Sequence, residues 1–267
     1  MSITWNAATR TLSTPIYASD LPYWPGVAQG TILFAMYARF SPATSLFRPF
    51  FSFATGSGGG FGGLASNTYQ AYNRVAATPE KQEANFGGGG QVYDAFATTD
   101  WENSWVYFGI TWTRTGPNVA DREMSLIVAS TGNAQLISAA SESGAWSITT
   151  KPRAAIFGGD ASLSPTFNGF GNSSNTFLGS IANITIANRA LTLADVQNLL
   201  TMPAPNAIGI GNVLAYWPLQ RDYRSVIGTT DELVWNGTTS PDPNFRPTFP
   251  EYTAGTPRNR DRGRRIP

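Results

Sequence analysis

The sequence predicts an all-β protein built as a sandwich or a barrel. In "TILFAMYARF" at 31–40 and in "WVYFGITWT" at 105–113, a set of hydrophobic residues recurs at every second position. A period of two is the pattern of a β-strand, whose successive side chains point to opposite faces. Turn-rich segments divide these stretches from other short strand candidates, as in sandwiches and barrels. With 267 residues, of which 42% are hydrophobic, the chain is able to bury a large core.

These two stretches are expected to be central strands of the structure. The residues that share one face are Ile32, Phe34, Met36, Ala38 and Phe40 in the first, and Val106, Phe108, Ile110 and Trp112 in the second. We expect these faces in the core and the opposite faces partly exposed to water. The further strand candidates, in chain order, are 3–6, 50–54, 69–76, 124–130, 134–139, 153–157, 181–187, 213–217 and 232–236.

Glycine clusters separate several of the candidate strands. They are "GSGGGFGG" at 56–63, "GGGG" at 87–90 and "FNGFGNSSN" at 167–175. A phosphate-binding loop would continue into Lys-Ser or Lys-Thr and a helix, and none of the three clusters does so. The clusters are therefore interpreted as loops at the ends of the sandwich.

One short helix is predicted, directly after the strand at 181–187. Thr192 and Asp195 have the spacing of a capping box, in which each side chain bonds a free backbone N–H of the first turn. The apolar stripe of the helix consists of Leu193, Val196, Leu199 and Leu200, and Pro203 ends it. Because so short a helix is unstable alone, we expect it to lie on the sandwich and cover an edge or an open end.

This strand-to-helix junction carries a family resemblance. Its residues are Gly179, Ile181, Ile184, Ile186, Asn188, Arg189, Ala190, Leu191 and Thr192. They resemble the closing segment of concanavalin A-like, laminin-G-like jelly-roll domains, and "SWVYFGITWTR" at 104–114 and "AAIFGGD" at 154–160 agree with it. The resemblance covers roughly 1–201 and implies a jelly-roll sandwich with one short helix and a C-terminal arm. It implies almost nothing about function.

Three parts of the chain are distinguished by their composition. Residues 1–201 form the laminin-G-like domain, 202–250 contribute extra strands, and 251–267 form an Arg/Pro-rich arm. The segment that begins at 202 looks like a linker. The strand "VLAYWPL" at 213–219 resembles an opening strand of such domains but follows the closing helix. We expect the extra strands to pack on the main domain or to be exchanged with a neighbouring copy.

Missing residue types exclude much chemistry. The chain has neither Cys nor His, which removes disulfides, thiolate zinc sites and the commonest general base. No Glu-x-Asp-x-x-Glu motif, as in jelly-roll glycosidases, is present. The N-terminal stretch "MSITWNAATR" does not resemble a signal peptide, and no apolar run is long enough for a bilayer. We expect a non-enzymatic protein without cofactor, metal or membrane association.

The surface is predicted to be sparsely charged and suited to contacts with other subunits. Charged residues make up 13% of the chain, about half the usual share, and the net charge is +1. A neutral body makes nucleic acid an improbable partner. The residues expected to bind a partner are Arg258, Arg260, Arg262, Arg264 and Arg265 in the arm, together with Trp217. A homo-oligomer is expected, and a trimer is the oligomeric state that we assume.

Exposed aromatic side chains beside polar groups suggest a second kind of surface. The candidate glycan platform consists of Tyr69, Tyr72, Tyr93, Trp101 and Trp146. Aromatic rings beside amide and hydroxyl groups bind sugars, although Tyr and Trp are also enriched at protein interfaces.

The sequence as a whole favours a virion structural protein. The domain looks like those of tailed-phage structural proteins, and the sparse charge and the arm suit an assembled particle. The favoured function is a capsid decoration protein that binds the major capsid protein or other virion subunits and stabilises the phage head. The alternative is a tail-fibre or baseplate module, or a lectin-like glycan-binding module. The expected location is the virion, after synthesis in the host cytoplasm.

Overall fold

The computed structural model of the chain describes sixteen stretches of backbone. They are residues 3–5, 11–13, 21–26, 28–38, 48–54, 69–74, 81–86, 90–94, 103–116, 122–138, 141–142, 154–157, 179–219, 223–229, 231–236 and 247–252.

Within these residues the secondary structure is almost entirely β. The strands are β1 (Ile3–Trp5), β2 (Thr11–Ser13), β3 (Gln29–Ala38), β4 (Arg48–Ala54), β5 (Tyr69–Arg74), β6 (Lys81–Phe86), β7 (Gly90–Asp94), β8 (Trp105–Arg114), β9 (Arg122–Ser130), β10 (Asn133–Ser138), β11 (Ser141–Glu142), β12 (Ala154–Phe157), β13 (Gly179–Ala187), β14 (Val213–Trp217) and β15 (Val234–Asn236). The helices are α1 (Leu193–Asn198) and α2 (Ala204–Ile208), and a 3₁₀ turn spans Ile210–Asn212.

The strands form two antiparallel sheets. The seven-stranded sheet has the order β1-β13-β3-β8-β9-β10, and β14 pairs with β13 beside β1. Along one edge of β13, β1 pairs with Gly179 to Ile181 and β14 pairs with Ile184 to Ala187. The eight-stranded sheet has the order β11-β7-β6-β5-β4-β12-β2-β15. The late strands β14 and β15 thus join one sheet each, within the same chain.

The two sheets enclose the main core. The expected inward faces of β3 and β8 are confirmed at the described positions, because Ile32, Phe34 and Met36 and their partners on β8 are fully buried there. The side chains of Ala38 and Phe40 lie outside the described part of the chain. Phe157 of β12 packs edge-on against Phe34 of β3, with ring centroids 6.4 Å apart, and so connects the sheets. Burial of this apolar area is the dominant stabilising term of the sandwich.

The opposite face of the seven-stranded sheet is buried as well. Partial exposure was expected, yet Leu33, Ala35 and Tyr107 have no accessible surface. Both helices pack over this outer face, and so do residues 247–252 through Phe249. The expectation of a partly wet face is wrong because these elements follow β13 in the chain and fold back over the sheet.

The junction after β13 has the predicted helix cap. Thr192 accepts a hydrogen bond from the backbone N–H of Asp195, and the Asp195 carboxylate accepts one from the N–H of Thr192. The helix that follows packs on β9 and β10. Two buried threonines secure the loop before it, because Thr31 donates to the Arg189 carbonyl and Thr111 accepts from the N–H of Leu191.

The segment expected to be a linker is instead part of the body. Helix α2 begins after Pro203, and Ala204, Ala207 and Ile208 are buried against the outer face. A proline at the helix start loses no hydrogen bond, because the first N–H groups of a helix have no partner within it. The Pro and Gly content that indicated a linker therefore marks the start and end of a short helix.

Candidate functional site

A cleft opens where three strands of the seven-stranded sheet end together. Tyr37 near the end of β3 lies opposite Trp105 at the start of β8, and Ser130 ends the adjacent strand β9. The cleft has a volume of about 370 Å³ and is lined by Tyr37, Asn103, Ser104, Trp105, Ser130, Thr131 and Thr248. This volume lies near the lower end of the range for small-molecule sites, about 300–1,000 Å³.

Two aromatic side chains give the cleft an apolar base. Tyr37 and Trp105 are direct cross-strand neighbours, and their rings meet edge to face with centroids 5.8 Å apart. Trp105 is only 6% exposed, whereas Tyr37 is half-buried and lines the cleft. Such a pair is held rigidly by the sheet register, so its position is fixed before any ligand arrives.

Polar side chains surround this base. Asn103 and Ser104 lead into β8, and Ser130 and Thr131 lie at the turn between β9 and β10. Asn103 adopts a positive φ of 57°, a conformation that Asn tolerates better than most residues. Amide and hydroxyl groups both donate and accept hydrogen bonds, so the rim is able to match a ligand that also does both.

The last wall of the cleft comes from residues 247–252, here called the strap. Phe249 stacks on Tyr107 with ring centroids 4.4 Å apart, and Tyr252 meets Tyr216 edge-on at 5.8 Å. Phe249 is buried, so it anchors the strap on the outer face of the sheet. Thr248, its neighbour, is exposed and lines the cleft. Glu251 and Tyr252 were assigned to the arm, but they belong to this docked segment.

A closed polar cluster lies beneath the strap. Asn183 donates from Nδ2 to the Tyr107 oxygen at 3.3 Å and accepts from the Tyr216 hydroxyl at 3.1 Å. Burial raises the pKa of Tyr107 and of Tyr216 well above the usual tyrosine value. Both phenols therefore stay protonated at neutral pH. All three residues are buried, and their polar groups hydrogen-bond one another. The cluster therefore offers no group to a substrate.

The carboxylate at the β13–α1 junction is also occupied. Asp195 receives two hydrogen bonds from Arg189, at 2.7 and 2.9 Å, and others from Thr192. Burial alone would raise the pKa of Asp195, but these bonds outweigh it and hold that pKa below its usual value. Arg189 also donates to the Ile208 carbonyl at 2.7 Å. Asp195 is thus a structural anion, bound by the arginine of the "NRALT" segment.

A second cleft, of about 560 Å³, lies at residues 225–229. The described residues that line it belong to a single loop, whereas those that line the first cleft come from the ends of three strands and from the strap. Convergence of separate elements on a few polar and aromatic groups is the usual mark of a binding site. The cleft at Tyr37 is therefore the better candidate.

The predicted partner residue Trp217 lies in the core. None of its surface is exposed, its ring meets Tyr23 edge to face at 5.2 Å, and its indole N–H donates to the Asp231 carbonyl. Its side chain is buried within this chain because β14 pairs with β13 and directs the indole into the core. The arm residues Arg258, Arg260, Arg262, Arg264 and Arg265 lie outside the described residues.

The described positions of the predicted glycan platform lie in the other sheet from the cleft. Tyr69 and Tyr72 lie in β5 and Tyr93 lies in β7, all in the eight-stranded sheet. Positions 72 and 93 share one register row through Glu83, whereas position 69 pairs with Phe86 in another row. Trp101 and Trp146 lie outside the described residues.

The residues that form the cleft were missed as site residues. Tyr37 and Trp105 were assigned only to strands, because alternation does not show where one strand ends beside another. One signal was present in the sequence. A tryptophan at the first position of a strand, directly after Asn103 and Ser104, sits at the rim of a sheet beside polar loop groups.

The part of the chain that the structure describes holds no group of three or more acidic residues arranged for a metal ion. Neither of its helices is long and apolar enough to cross a bilayer.

Comparison with known proteins defines the class of fold. No protein-family model matches the sequence, and no curated protein is similar to it. A candidate carbohydrate-binding protein from Bacteroides ovatus superposes with a TM-score of 0.52 at 13% identity, over 90% of this chain and 60% of that one. The heptameric SAP-like pentraxin from Limulus polyphemus gives 0.44 at 14% identity, over 74% of this chain and 79% of that one.

A phage protein is among the similar structures as well. The enzymatically active domain of tailspike protein 2 from bacteriophage CBA120 gives a TM-score of 0.46 at 12% identity, over 76% of this chain and 28% of that one. The chain thus corresponds to only part of the Bacteroides and phage proteins. The protein has the all-β, concanavalin A-like jelly-roll fold of laminin-G-like domains. Binding and catalytic domains share this fold, so function has to be argued from the site.

Proposed function

We propose that the protein is a non-enzymatic, lectin-like module that binds a saccharide in the cleft at the end of β3, β8 and β9. One observation carries the proposal: the half-buried Tyr37 side chain lines a cleft together with amide and hydroxyl side chains. A sugar ring has apolar C–H faces and a polar edge, which match an aromatic surface and such a rim.

The absence of catalytic groups from the described lining supports a binding role. Glycoside hydrolysis needs two carboxyl groups placed on either side of the bond that is cleaved. The described residues that line the cleft include no Asp or Glu. The partly buried Asp195 is already bound by Arg189 and Thr192.

Calorimetric titration with a panel of oligosaccharides tests the proposal. We expect Tyr37→Ala to weaken binding of any responding oligosaccharide about tenfold, the equivalent of about 1.4 kcal/mol, because the stacking surface is lost. Thr131→Ala removes an exposed hydroxyl without disturbing the core and should weaken binding several-fold. Tyr223→Ala is the matched control, since Tyr223 is half-buried but does not line the cleft.

Two results would contradict this assignment. If no oligosaccharide binds the intact protein, the lectin-like function is wrong. If binding survives Tyr37→Ala and Thr131→Ala but is lost on Trp101→Ala or Trp146→Ala, the saccharide site lies at the platform that the sequence suggested.

A second proposal concerns where such a module works. We propose a virion component: a capsid decoration protein, or else a tail-fibre or baseplate module, that binds other virion subunits as a homo-oligomer. The sparse charge of the chain and its arginine-rich arm support this role. The location and copy number of the protein in an intact particle test it. Because Glu251 and Tyr252 belong to the strap, the suitable truncation removes 253–267 and should weaken attachment or assembly while the fold persists.

A further inference from the structure

We infer that Phe249 is a positioning residue of the saccharide cleft and that ligand binding is coupled to docking of the strap; this inference rests on the proposed function. Thr248 lines the cleft, whereas its neighbour Phe249 is buried against the outer face of the sheet. Adjacent residues of one segment thus form the wall of the cleft and the anchor of that wall. The contacts that hold Phe249 in place therefore also hold Thr248 beside the ligand.

The anchor lies beside the base of the cleft. Phe249 stacks on Tyr107, which follows Trp105 by two residues in β8 and so points to the same face, about 7 Å further along the strand. The residue opposite Tyr107 on β9 is Ala129, which precedes Ser130 of the cleft. A displacement of Phe249 therefore moves the strap relative to a base that the sheet register holds fixed.

The strap is attached through side chains and is not a strand of either sheet. Residues 247–252 lie outside the strands of both sheets. The described ring contacts of the strap are the stack of Phe249 on Tyr107 and the edge-on contact of Tyr252 with Tyr216. Such a segment separates from the body without breaking a ladder of backbone hydrogen bonds, so its release costs less than the opening of a core strand.

A docked strap and a released strap give the cleft different walls. A saccharide that contacts Thr248 binds the docked state more tightly, so each equilibrium shifts the other by the same factor. A variant whose strap is docked for part of the time has its apparent affinity reduced by that fraction. One hydroxyl contact corresponds to about three- to tenfold in affinity, which sets the expected size of the coupling.

Calorimetric titration of a double-mutant cycle tests the coupling. The probes are tetrasaccharides of glucose, mannose, galactose, N-acetylglucosamine and galacturonate, and the variants are titrated with the probe that binds the wild type most tightly. We expect Phe249→Ala and Thr248→Ala each to weaken binding about three- to tenfold. In the Phe249→Ala background, Thr248→Ala should change the Kd less than about twofold because the strap wall is already lost, whereas independent effects would multiply to about tenfold or more.

Two controls separate positioning of the wall from general destabilisation. Phe249→Leu keeps a buried apolar side chain and should bind within about twofold of the wild type. Val196→Ala truncates a buried side chain of α1 on the same outer face and should also leave the Kd within about twofold. Tyr252→Ala loosens the strap at its second contact, so it should weaken binding even if Phe249→Ala does not fold.

Hydrogen exchange gives the reciprocal readout. The saturating probe should slow amide exchange in a peptide that spans 248–252 about three- to tenfold in the wild type. It should not slow exchange in Thr248→Ala, whose strap is still anchored by Phe249 but lacks the hydroxyl that contacts the ligand. If a probe binds but its Kd is unchanged in Phe249→Ala, the cycle is additive or exchange is not slowed, the inference is overturned while the lectin-like function stands. If no probe binds the wild type, both fail.

Discussion

Replacement of Arg189 by Ala should destabilise the protein more than any surface arginine does. Its guanidinium donates twice to Asp195, once to the Ile208 carbonyl at 2.7 Å and once to the Ala190 carbonyl at 3.3 Å. It thereby ties the end of β13 to both helices. The side chains of Arg189 and Asp195 are only 26% and 16% exposed, so solvent screens the pair incompletely.

The size of the effect follows from this intermediate burial. Removal of one partner from a fully buried ion pair costs about 3–5 kcal/mol, and an exposed pair contributes about 0–1 kcal/mol. For Arg189→Ala we therefore expect a loss of about 2–3 kcal/mol in the free energy of unfolding. For a chain of this size that loss lowers Tm by about 4–12 °C.

Urea denaturation and thermal unfolding measure the loss, with Arg224→Ala as the control. Arg224 faces Glu232 at 3.8 Å, and their side chains are 69% and 53% exposed. Its replacement should change the unfolding free energy by no more than about 0.5 kcal/mol. An Arg189→Ala variant that is no less stable than Arg224→Ala would refute the role given to the junction.

The same variant should alter the response to acid. Because the pKa of Asp195 is lowered in the folded state, its stabilising contribution is fully present above the usual aspartate value of about 4. That contribution is lost as the pH falls through the lowered pKa. The stability gap between the wild type and Arg189→Ala should accordingly narrow below about pH 4. A gap that stays constant down to pH 2 would show that the carboxylate does not contribute.

Three further predictions follow from the core and the strap. Phe249→Ala should release the strap, because its ring no longer stacks on Tyr107, and limited proteolysis should then cut near residue 249 earlier than in the wild type. In a spectrophotometric titration, Tyr107 and Tyr216 should stay protonated above pH 10 until the protein unfolds, because burial raises their pKa values. The free energy of unfolding should therefore fall as the pH rises past about 10. Ionisation of all ten tyrosines near pH 10 in the folded protein would contradict this. Gly109→Ala should cost about 3 kcal/mol or more in chemical denaturation, because an added Cβ would meet a backbone oxygen of β3, whereas Gly211→Ala, in open space, should cost little.

Much of the fold could be predicted because its strands alternate strongly. The central strands, the capping box and the late strand at 213–217 all appear where the pattern indicates them. The strands β2, β6, β7 and β11 were missed. "KQEANF" in β6 has no apolar alternation, and β7 begins inside a glycine cluster. Such strands are specified by hydrogen bonds to their neighbours, which a local pattern does not contain.

The candidate site was less predictable because it is assembled by register. Tyr37 and Trp105 are far apart in sequence and meet only because β3 and β8 pair with one particular offset. Thr248 reaches the cleft only because Phe249 docks on the far side of a sheet whose outer face was expected to be partly wet. Trp217 was assigned to a partner surface for a related reason, since a tryptophan in a strand has the same sequence signature inside and outside a core.

The shared edge of β13 has a consequence for how the chain reaches its native state. Ile3 of β1 pairs with Ile181, and Trp217 of β14 pairs with Ile184. Both β1 and β14 therefore need β13 before they can form their hydrogen bonds. Contacts so distant in sequence require closure of large loops before any stabilisation is gained, which slows folding. During synthesis, β1 stays unpaired until β13 emerges. The protein should therefore depend on conditions that keep its early strands from pairing with other chains. The unpaired edge of β1 should be most prone to such pairing just before synthesis of β13 is complete.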